Sequence, residues 1–518
     1  MANLKIPEIS NDATINVALD TINKGKQALI FVNSKRSAEK TAEEVGKKVT
    51  GVNEAWSVLS TKVMKVLASP TTQCKRLCGC LLKGVAFHHA GLAAKQRELI
   101  EDGFRDGVVK VIASTPTLAA GLDLPAFRAV IRDLKRFCNR GMAPIPVLEY
   151  LQMSGRAGRP NYDTFGESIC IAKSEAEKEA ITEEYINGDP EEIYSKLAVE
   201  PVLRTYLLSL IASKFVRSRK QILEFFGKTF WAYQYEDMGK LEEIIERMLQ
   251  LLEEWEFIKS SKDDFISADN LDSVTYRATL MGKRVAELYL DPYTANQLVE
   301  GIRKTHSIKY GDFSFFQLLC NTLEMRPLLN VRQKEYDIVE EAIMKYEGTL
   351  LGSEPDYFDD EHGDYMKSIK TSLFFMDWVE EKGEDALLEH YGIRPGEIRY
   401  KLNSADWLFY AMEELTRLLG FHDLIKVIGR LRFRVKHGIK DELVSLVRLK
   451  GIGRVRARKL FRNGIKDVRG LKQIDVGRLG VILGKGMAEK IKKELDQDVS
   501  VVKKGTRKGQ TSVEKFIK

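Results

Sequence analysis

The feature that most constrains this fold is an alternation that fills the first 175 residues. Short apolar runs bounded by polar residues are separated by longer stretches with helical spacing. Ala28-Leu-Ile-Phe-Val-Asn33 reads as a buried parallel strand. The next stretch, SKRSAEKTAEEVGKKV over 34–49, reads as a helix opened by a Ser34 cap. Further strands are expected at Val85–His88, Val108–Ala113, Arg128–Ile131 and Ser168–Ala172. Strand-helix alternation of this kind predicts a parallel α/β sheet.

Beyond about residue 176 the strands thin out. Helices are expected at Pro201–Lys214 and Lys240–Glu254, followed by strand-like WEFIKS, a polar turn and strand-like SVTYRAT, the order of a winged helix. Residues 292–437 are almost wholly helical in pattern, with breaks at Gly348, Pro355 and Pro395-Gly396, and 438–500 are short helices joined by glycines. The expected domains are therefore 1–180, 197–291, 292–437 and 438–500, with 501–518 too polar to pack and expected to be disordered.

Composition narrows the class. Of 518 residues, 44% are hydrophobic and 30% charged, the balance of a globular chain. No run of 18 apolar residues exists, so no membrane span is expected, and the first ten residues do not read as a signal peptide. Six cysteines exclude a disulfide scaffold and point to a reducing, intracellular (cytoplasmic) setting. The net charge of +7 is unevenly spread. Arg430 to Lys518 holds 26 Lys and Arg against 9 Asp and Glu, so the rest of the chain is net acidic. One strongly basic end suggests a polyanion, nucleic acid first, with a solvated basic tail as the bland alternative.

The most informative string is Gln152-Met-Ser-Gly155-Arg156-Ala-Gly158-Arg159-Pro160. Read as helical, it puts Arg156 and Arg159 on one face, where fixed guanidinium forks suit the oxygens of a transferring phosphate. Upstream, Thr115 and Thr117 follow the apolar strand and offer hydroxyls at its carboxyl end, where open α/β sheets bind ligands. Gly121-Leu-Asp123 then places a carboxylate within reach of a ribose hydroxyl.

With FVNS (31–34) and FHHAGL (87–92), these strings resemble the motifs of the second RecA-like domain of superfamily-two helicases, in particular the archaeal Hjm-type DNA helicases of the Ski-type branch. The likeness extends to Ile393–Arg399 and Ala405-Asp-Trp407, similar to that family's ratchet helix, and to Leu443–Leu460, similar to its last domain. It implies a RecA-like α/β domain followed by a winged helix, a helical ratchet bundle and a helix-hairpin-helix. The implied activity is 3′–5′ translocation on single-stranded DNA with unwinding of forked DNA in replication-coupled repair. ATP and Mg2+ would be the cofactors, in a nucleoid-associated monomer. Arg156 and Arg159 would be arginine fingers, Gln152 would couple them to the nucleotide, and Gly121 and Asp123 would contact it. Ser34, His89, Thr115 and Thr117 would face the DNA backbone. Asp133 to Gly141, with Arg136, Phe137 and Arg140, occupies the place of the strand-separating hairpin; a plain surface hairpin is the alternative. Trp407 would stack on a base, aided by Arg399 or Tyr400, against the ordinary alternative of a core tryptophan.

The sequence departs from that family at one decisive point. No GxxxxGK[ST] P-loop occurs; Gly480-Val-Ile-Leu-Gly484-Lys485-Gly486 has the wrong spacing and no hydroxyl. Asp359-Asp360-Glu361-His362 has no apolar strand leading into it and reads as a charged loop, not a metal-binding DExH box. The chain thus reads as a C-terminal portion without the first RecA-like domain: an isolated piece, a split gene product or a truncated frame. Alone it would not hydrolyse ATP, and a separate chain could carry the missing domain. An ATP-independent fork-binding or single-strand-binding module and a Ski-type RNA helicase fragment are the competing readings.

Three further strings remain. Leu446 to Leu460 reads as a helix-hairpin-helix whose Gly451-Ile-Gly453 turn would offer backbone N–H groups to phosphate, with Arg454, Arg456 and Arg458 adding charge; a protein-binding version is the alternative. Gln510-Thr-Ser-Val513-Glu-Lys-Phe516-Ile517 has the spacing of a sliding-clamp box. Cys74, Cys78 and Cys80 lack the second spaced pair of a zinc site and read as free, packed cysteines.

Overall fold

The computed structural model describes residues 5–67, 69–119, 124–138, 141–159, 163–197, 199–235, 238–261, 274–356 and 359–497. Contacts divide the chain into two units: Met1–Val199 with Glu224–Leu241 and Glu384–Lys401, and Glu200–Leu223 with Glu242–Gly383 and Leu402–Lys518.

The first unit is built on a five-stranded sheet. Its strands are β1 (Ala28–Phe31), β2 (Val85–His88), β3 (Val111–Ser114), β4 (Arg128–Ile131) and, after the hairpin strands β5 (Lys135–Cys138) and β6 (Gly141–Pro144), β7 (Glu167–Cys170). The order is β2-β3-β1-β4-β7, and every pairing within the sheet is parallel. The expected α/β class and all five strand positions, to within a few residues, are thus realised. β1 to β4 are buried at every residue and mostly apolar, because helices cover both faces of the sheet. These helices are α1 (Ala13–Asn23), α2 (Lys35–Lys48), α3 (Glu54–Met64), α4 (Thr72–Leu81), α5 (Ala94–Arg105), α6 (Val147–Ser154) and α7 (Glu175–Ile181). Ser34 caps α2 as read, its hydroxyl accepting from Ser37 N at 3.2 Å. Cys74, Cys78 and Cys80 are buried on α4. Arg128 is a fully buried cation on β4. It is held by Asp20 (2.6 Å), Glu167 (2.5 Å) and the Thr21 hydroxyl (2.9 Å).

The winged-helix pattern is present as α8 (Glu200–Ala212), α9 (Arg219–Phe226), α10 (Phe230–Tyr235), α11 (Met238–Glu254), the antiparallel pair β8 (Ile258–Ser260) and β9 (Tyr276–Ala278), and α12 (Leu280–Glu287). Helices α8 and α11 and the two strands stand where the sequence pattern predicts them; α9 and α10 are too short to show a period. Helices α13 (Pro292–Lys304), α14 (Asp312–Cys320), α15 (Tyr336–Tyr346), α16 (His362–Val379), α17 (Glu384–Tyr391), α18 (Pro395–Leu418) and α19 (His422–His437) follow. The Asp359–Glu361 string lies immediately before α16 and not after a strand. The expected bundle boundary of 292–437 is not the contact boundary, because 384–401 packs with the first unit. The last helices, α20 (Val444–Val447), α21 (Arg454–Arg462), α22 (Val468–Gln473), α23 (Val476–Leu483) and α24 (Lys485–Gln497), surround a small core of their own around Leu446, Leu460 and Leu479.

Candidate nucleotide and nucleic-acid interface

In the first unit the motif residues divide between the two edges of the parallel sheet. Ser34 follows β1, His89 follows β2, and Thr115 and Thr117 follow β3, all at carboxyl ends. Thr115 and Thr117 share a hydrogen bond at 2.9 Å, with Thr117 exposed. The guanidinium string lies along the amino ends instead. Ala126, just before β4, accepts from Gly158 N at 2.7 Å and donates to Arg156 O at 2.9 Å.

Helix α6 ends at Ser154, so Arg156 and Arg159 do not share a helix face as the spacing suggested. Gly155 closes the helix, and Gly158, at φ +94°, turns the chain in a conformation that costs only glycine little. Gln152 stays exposed on the last turn of α6. Arg156 donates from Nε (3.0 Å) and Nη2 to Ala119 O, tying its string to the turn that carries Thr117. Arg159 grips Asp163 with two N–H groups, at 2.6 and 3.1 Å, and donates to Gln27 Oε1 at 2.6 Å. Lys26 adds a second cation 2.6 Å from the same carboxylate. The Arg159 hydrogen bonds, with burial opposing and Lys26 assisting, hold the Asp163 carboxyl at about 2. Gly121 and Asp123 lie outside the described residues.

His89 is the clearest correction. Expected to face DNA, it is fully buried, its Nδ1 accepting from Gly91 N (3.1 Å) and its Nε2 lying 3.2 Å from Glu39 Oε1. Burial lowers its pKa more than Glu39 raises it, so the ring is neutral, with its proton on Nε2 facing Glu39. The apolar strand β2 and the Gly91 turn direct this side chain inward.

The expected hairpin is formed: β5 and β6 pair antiparallel, with Phe137 opposite Met142. Both side chains project into solvent, Phe137 at 80% exposure. Arg136 is exposed too, and paired with Glu149 at 2.6 Å. Arg140 lies outside the described residues. On the first turns of α18, Arg399 and Tyr400 are exposed; Arg399 lies 3.7 Å from Glu384.

In the second unit Trp407 is half-buried, its indole N–H donating to Leu288 O at 3.1 Å. The bond fixes the ring without enclosing it, an outcome between the stacking and core readings. The turn between α20 and α21 contains exposed Gly451, at φ +85°, and exposed Gly453. Two of the three arginines assigned to DNA there face the protein. Arg458 makes paired bonds to Glu381 (2.6 and 2.8 Å) and one to Glu442 (2.9 Å). Arg454 donates to Lys382 O at 3.1 Å and stacks over Trp378 with 5.0 Å to the ring centre. Helical spacing puts positions 454 and 458 on one face, and that face meets the loop after α16. Arg456 is exposed and donates to Gly451 O at 2.7 Å. Gln510, Val513, Phe516 and Ile517 lie outside the described residues.

Sequence reasoning missed Asp163, Gln27, Glu39 and Arg394. For Asp163 a signal existed, since a carboxylate four residues after Arg159 is a pairing distance; for Glu39 and Arg394, 355 residues apart, there was none.

Three family models match the chain: the helicase conserved C-terminal domain over residues 58–161, a helix-turn-helix domain over 166–259, and domain 4 of the archaeal helicases over 313–438. The chain is similar to proteins named ATP-dependent DNA helicase Hel308. It is 37% identical to that of Methanocella arvoryzae over 92% of this chain and 63% of the relative. With the Methanococcus vannielii protein the figures are 36%, 89% and 65%, and with that of Pyrococcus horikoshii 36%, 95% and 67%. The chain therefore spans about two thirds of the length of these relatives.

Proposed function

Because the chain belongs to the archaeal Hel308 DNA helicase family, we propose that it is the C-terminal part of an ATP-dependent 3′–5′ helicase that tracks along single-stranded DNA and opens forked DNA. The observation that carries this reading is the division of the sheet's two edges. Hydroxyl-bearing loops sit at the carboxyl ends, where open α/β sheets take ligands. Arg159 sits at the amino ends on Gln27, and Arg156 reaches from the same string to Ala119 O in the turn after β3, a pairing suited to completing a nucleotide site on another domain. The exposed Phe137 hairpin is suited to wedge a base pair apart. Arg399, Tyr400 and Trp407 lie along α18, a helix about 36 Å long, and the Gly451–Gly453 turn with Arg456 grips backbone phosphate.

Where a nucleotide and Mg2+ bind, they supply the phosphoryl chemistry; this chain's part is to present the arginines. For Arg159 that requires exchanging Asp163 for phosphate oxygen, because both ligands use the same guanidinium fork.

The test is ATP hydrolysis by the purified chain with and without single-stranded DNA carrying a 3′ tail. The expected result is no turnover above buffer, with salt-sensitive DNA binding retained. DNA-stimulated turnover that disappears in Arg156→Ala or Arg159→Ala would overturn the view that the motor is incomplete. The absence of a P-loop in the 518 residues favours a second reading, an ATP-independent module that holds forks. Adding the first RecA-like domain separates the two, since only a motor part then supports unwinding. Matched RNA and DNA strands test the Ski-type RNA alternative through the 2′-hydroxyl. The sliding-clamp contact through Gln510 to Ile517 is proposed on spacing alone, and loss of clamp binding in Phe516→Ala checks it.

A further inference from the structure

The FHHAGL string, whose His89 was expected to face DNA, is occupied within the first unit by the start of α18. Gly396 N donates to Gly91 O at 2.9 Å. A Cβ on Gly396 would stand 2.2 Å from Ala90 O and 2.4 Å from Leu92 O, so only glycine fits there. A Cβ on Gly91 would likewise stand 2.4 Å from the Arg394 side chain. Beneath this contact Glu39 is almost fully buried, accepting three hydrogen bonds with a fourth nitrogen close by. Its Oε2 takes Arg76 at 2.6 Å, while its Oε1 takes Gln73 at 2.9 Å, Arg394 at 3.1 Å and lies 3.2 Å from His89 Nε2. Around the rim Lys35 pairs with Glu397, Glu397 accepts from Arg394 N at 2.9 Å, and Asp385 on α17 accepts from Thr72 N, in the first turn of α4, at 3.0 Å. Ile393 and Ile398 are buried on either side.

We propose that the loop after β2 is a socket for the N-terminus of α18, and that Glu39 is a positioning residue that holds Arg394 and His89 so that Arg399 and Tyr400 keep a fixed place relative to the parallel sheet. The second half of the proposal rests on the reading that α18 contacts the DNA strand. The chemistry requires a carboxylate at position 39. Two guanidinium groups, an amide N–H and an imidazole N–H converge there, and a neutral amide would set an N–H against donors and leave both cations uncompensated. Burial raises the Glu39 carboxyl, but the bonds from His89 and Gln73 and the Arg394 charge more than reverse this and keep it ionised. The socket ties the motif of the sheet edge mechanically to the first turns of a helix more than 300 residues away in sequence.

The test uses the full 518-residue chain. Amide exchange is followed in 392–401 and in β1 to β4, and a 5-iodouridine-substituted single strand is photocrosslinked to Tyr400. In Glu39→Gln and in Gly396→Ala, exchange over 392–401 should rise at least about tenfold with the sheet's protection unchanged, and the Tyr400 crosslink should be lost. Arg394→Lys, which keeps a cation, should retain part of both. Gly396→Ala guards against misfolding of the buried Glu39 site, and its sign is diagnostic: helix propensity alone would slow exchange there. Unchanged exchange in both variants would overturn the socket. A wild-type chain that binds single strands without crosslinking at Tyr400 would overturn the positioning role and the strand-contact reading of α18, while the exchange result still decides the socket.

Discussion

The arginines at the sheet edge and those after the Gly451 turn were read from the same signal, closely spaced guanidinium groups beside glycines, yet the fold uses them differently. At the sheet Arg156 and Arg159 are held in a half-buried string, Arg156 by Ala119 O in the turn after β3 and Arg159 by Asp163 and by Gln27 before β1. After the turn, Arg454 and Arg458 are spent on tying α21 to the loop after α16, and Arg456 faces solvent. A count of basic residues therefore measures neither the ligand-facing charge nor the structural charge. The partner of each guanidinium decides which it is.

Removing individual cations should sharpen this contrast. Arg128→Ala is the largest expected effect. It removes a fully buried cation from Glu167 and from Asp20, which keeps only the exposed Lys24 at 2.8 Å, and should cost the first unit about 3 kcal/mol, read as a lower denaturant midpoint. Arg458→Ala should come next, at about 1–3 kcal/mol for the second unit, because it leaves Glu381 with its carboxylate in a largely buried place. Burial raises the Glu381 carboxyl, but Arg458 and the Lys440 N–H outweigh it, so this contribution is present at neutral pH and is lost as acid protonates the group.

Arg159→Ala should act on acid stability. Asp163 is held at about 2 against an ordinary 3.8, so it stabilises the fold fully above pH 3.8 and loses that contribution as pH falls through about 2. In the variant, with only Lys26 left as a cation beside it, the slope of stability against pH in this window should flatten; an unchanged slope would show that the Arg159–Asp163 pair does not persist in solution. Arg456→Ala should be the smallest in stability, within about 0.5 kcal/mol, but should lower the salt dependence of DNA binding by about one counterion. If Arg458→Ala changed that salt slope as much as Arg456→Ala does, the contrast between inward and outward arginines would fail.

Much of the architecture could be read locally. A buried parallel strand is an apolar run and a capped helix announces itself, so β1 to β4 and α2 were predicted nearly in place. The two wing strands were legible from the same short-range patterns, while the hairpin was expected only from the family resemblance. The short helices α9 and α10 were not, since six to eight residues give too few turns for a period to show. His89 could not be placed either, because a histidine after a strand looks the same whether its ring points to solvent or beneath a loop. Its burial depends on Arg394 and Gly396, which approach it only through the fold.

What the amino-acid sequence determined by itself was everything set within a few residues: strand and helix identity, the glycine turns, the helicase-like strings and the basic end. What only tertiary structure decided was the partner of each charge. Arg159 meets Gln27, Arg128 meets Asp20, and Glu39 meets Arg394 across separations of 132, 108 and 355 residues. The physical reason is that a buried ion needs its counter-charge near in space but not in sequence, so the same local pattern leaves a guanidinium open to a ligand or closes it into the protein.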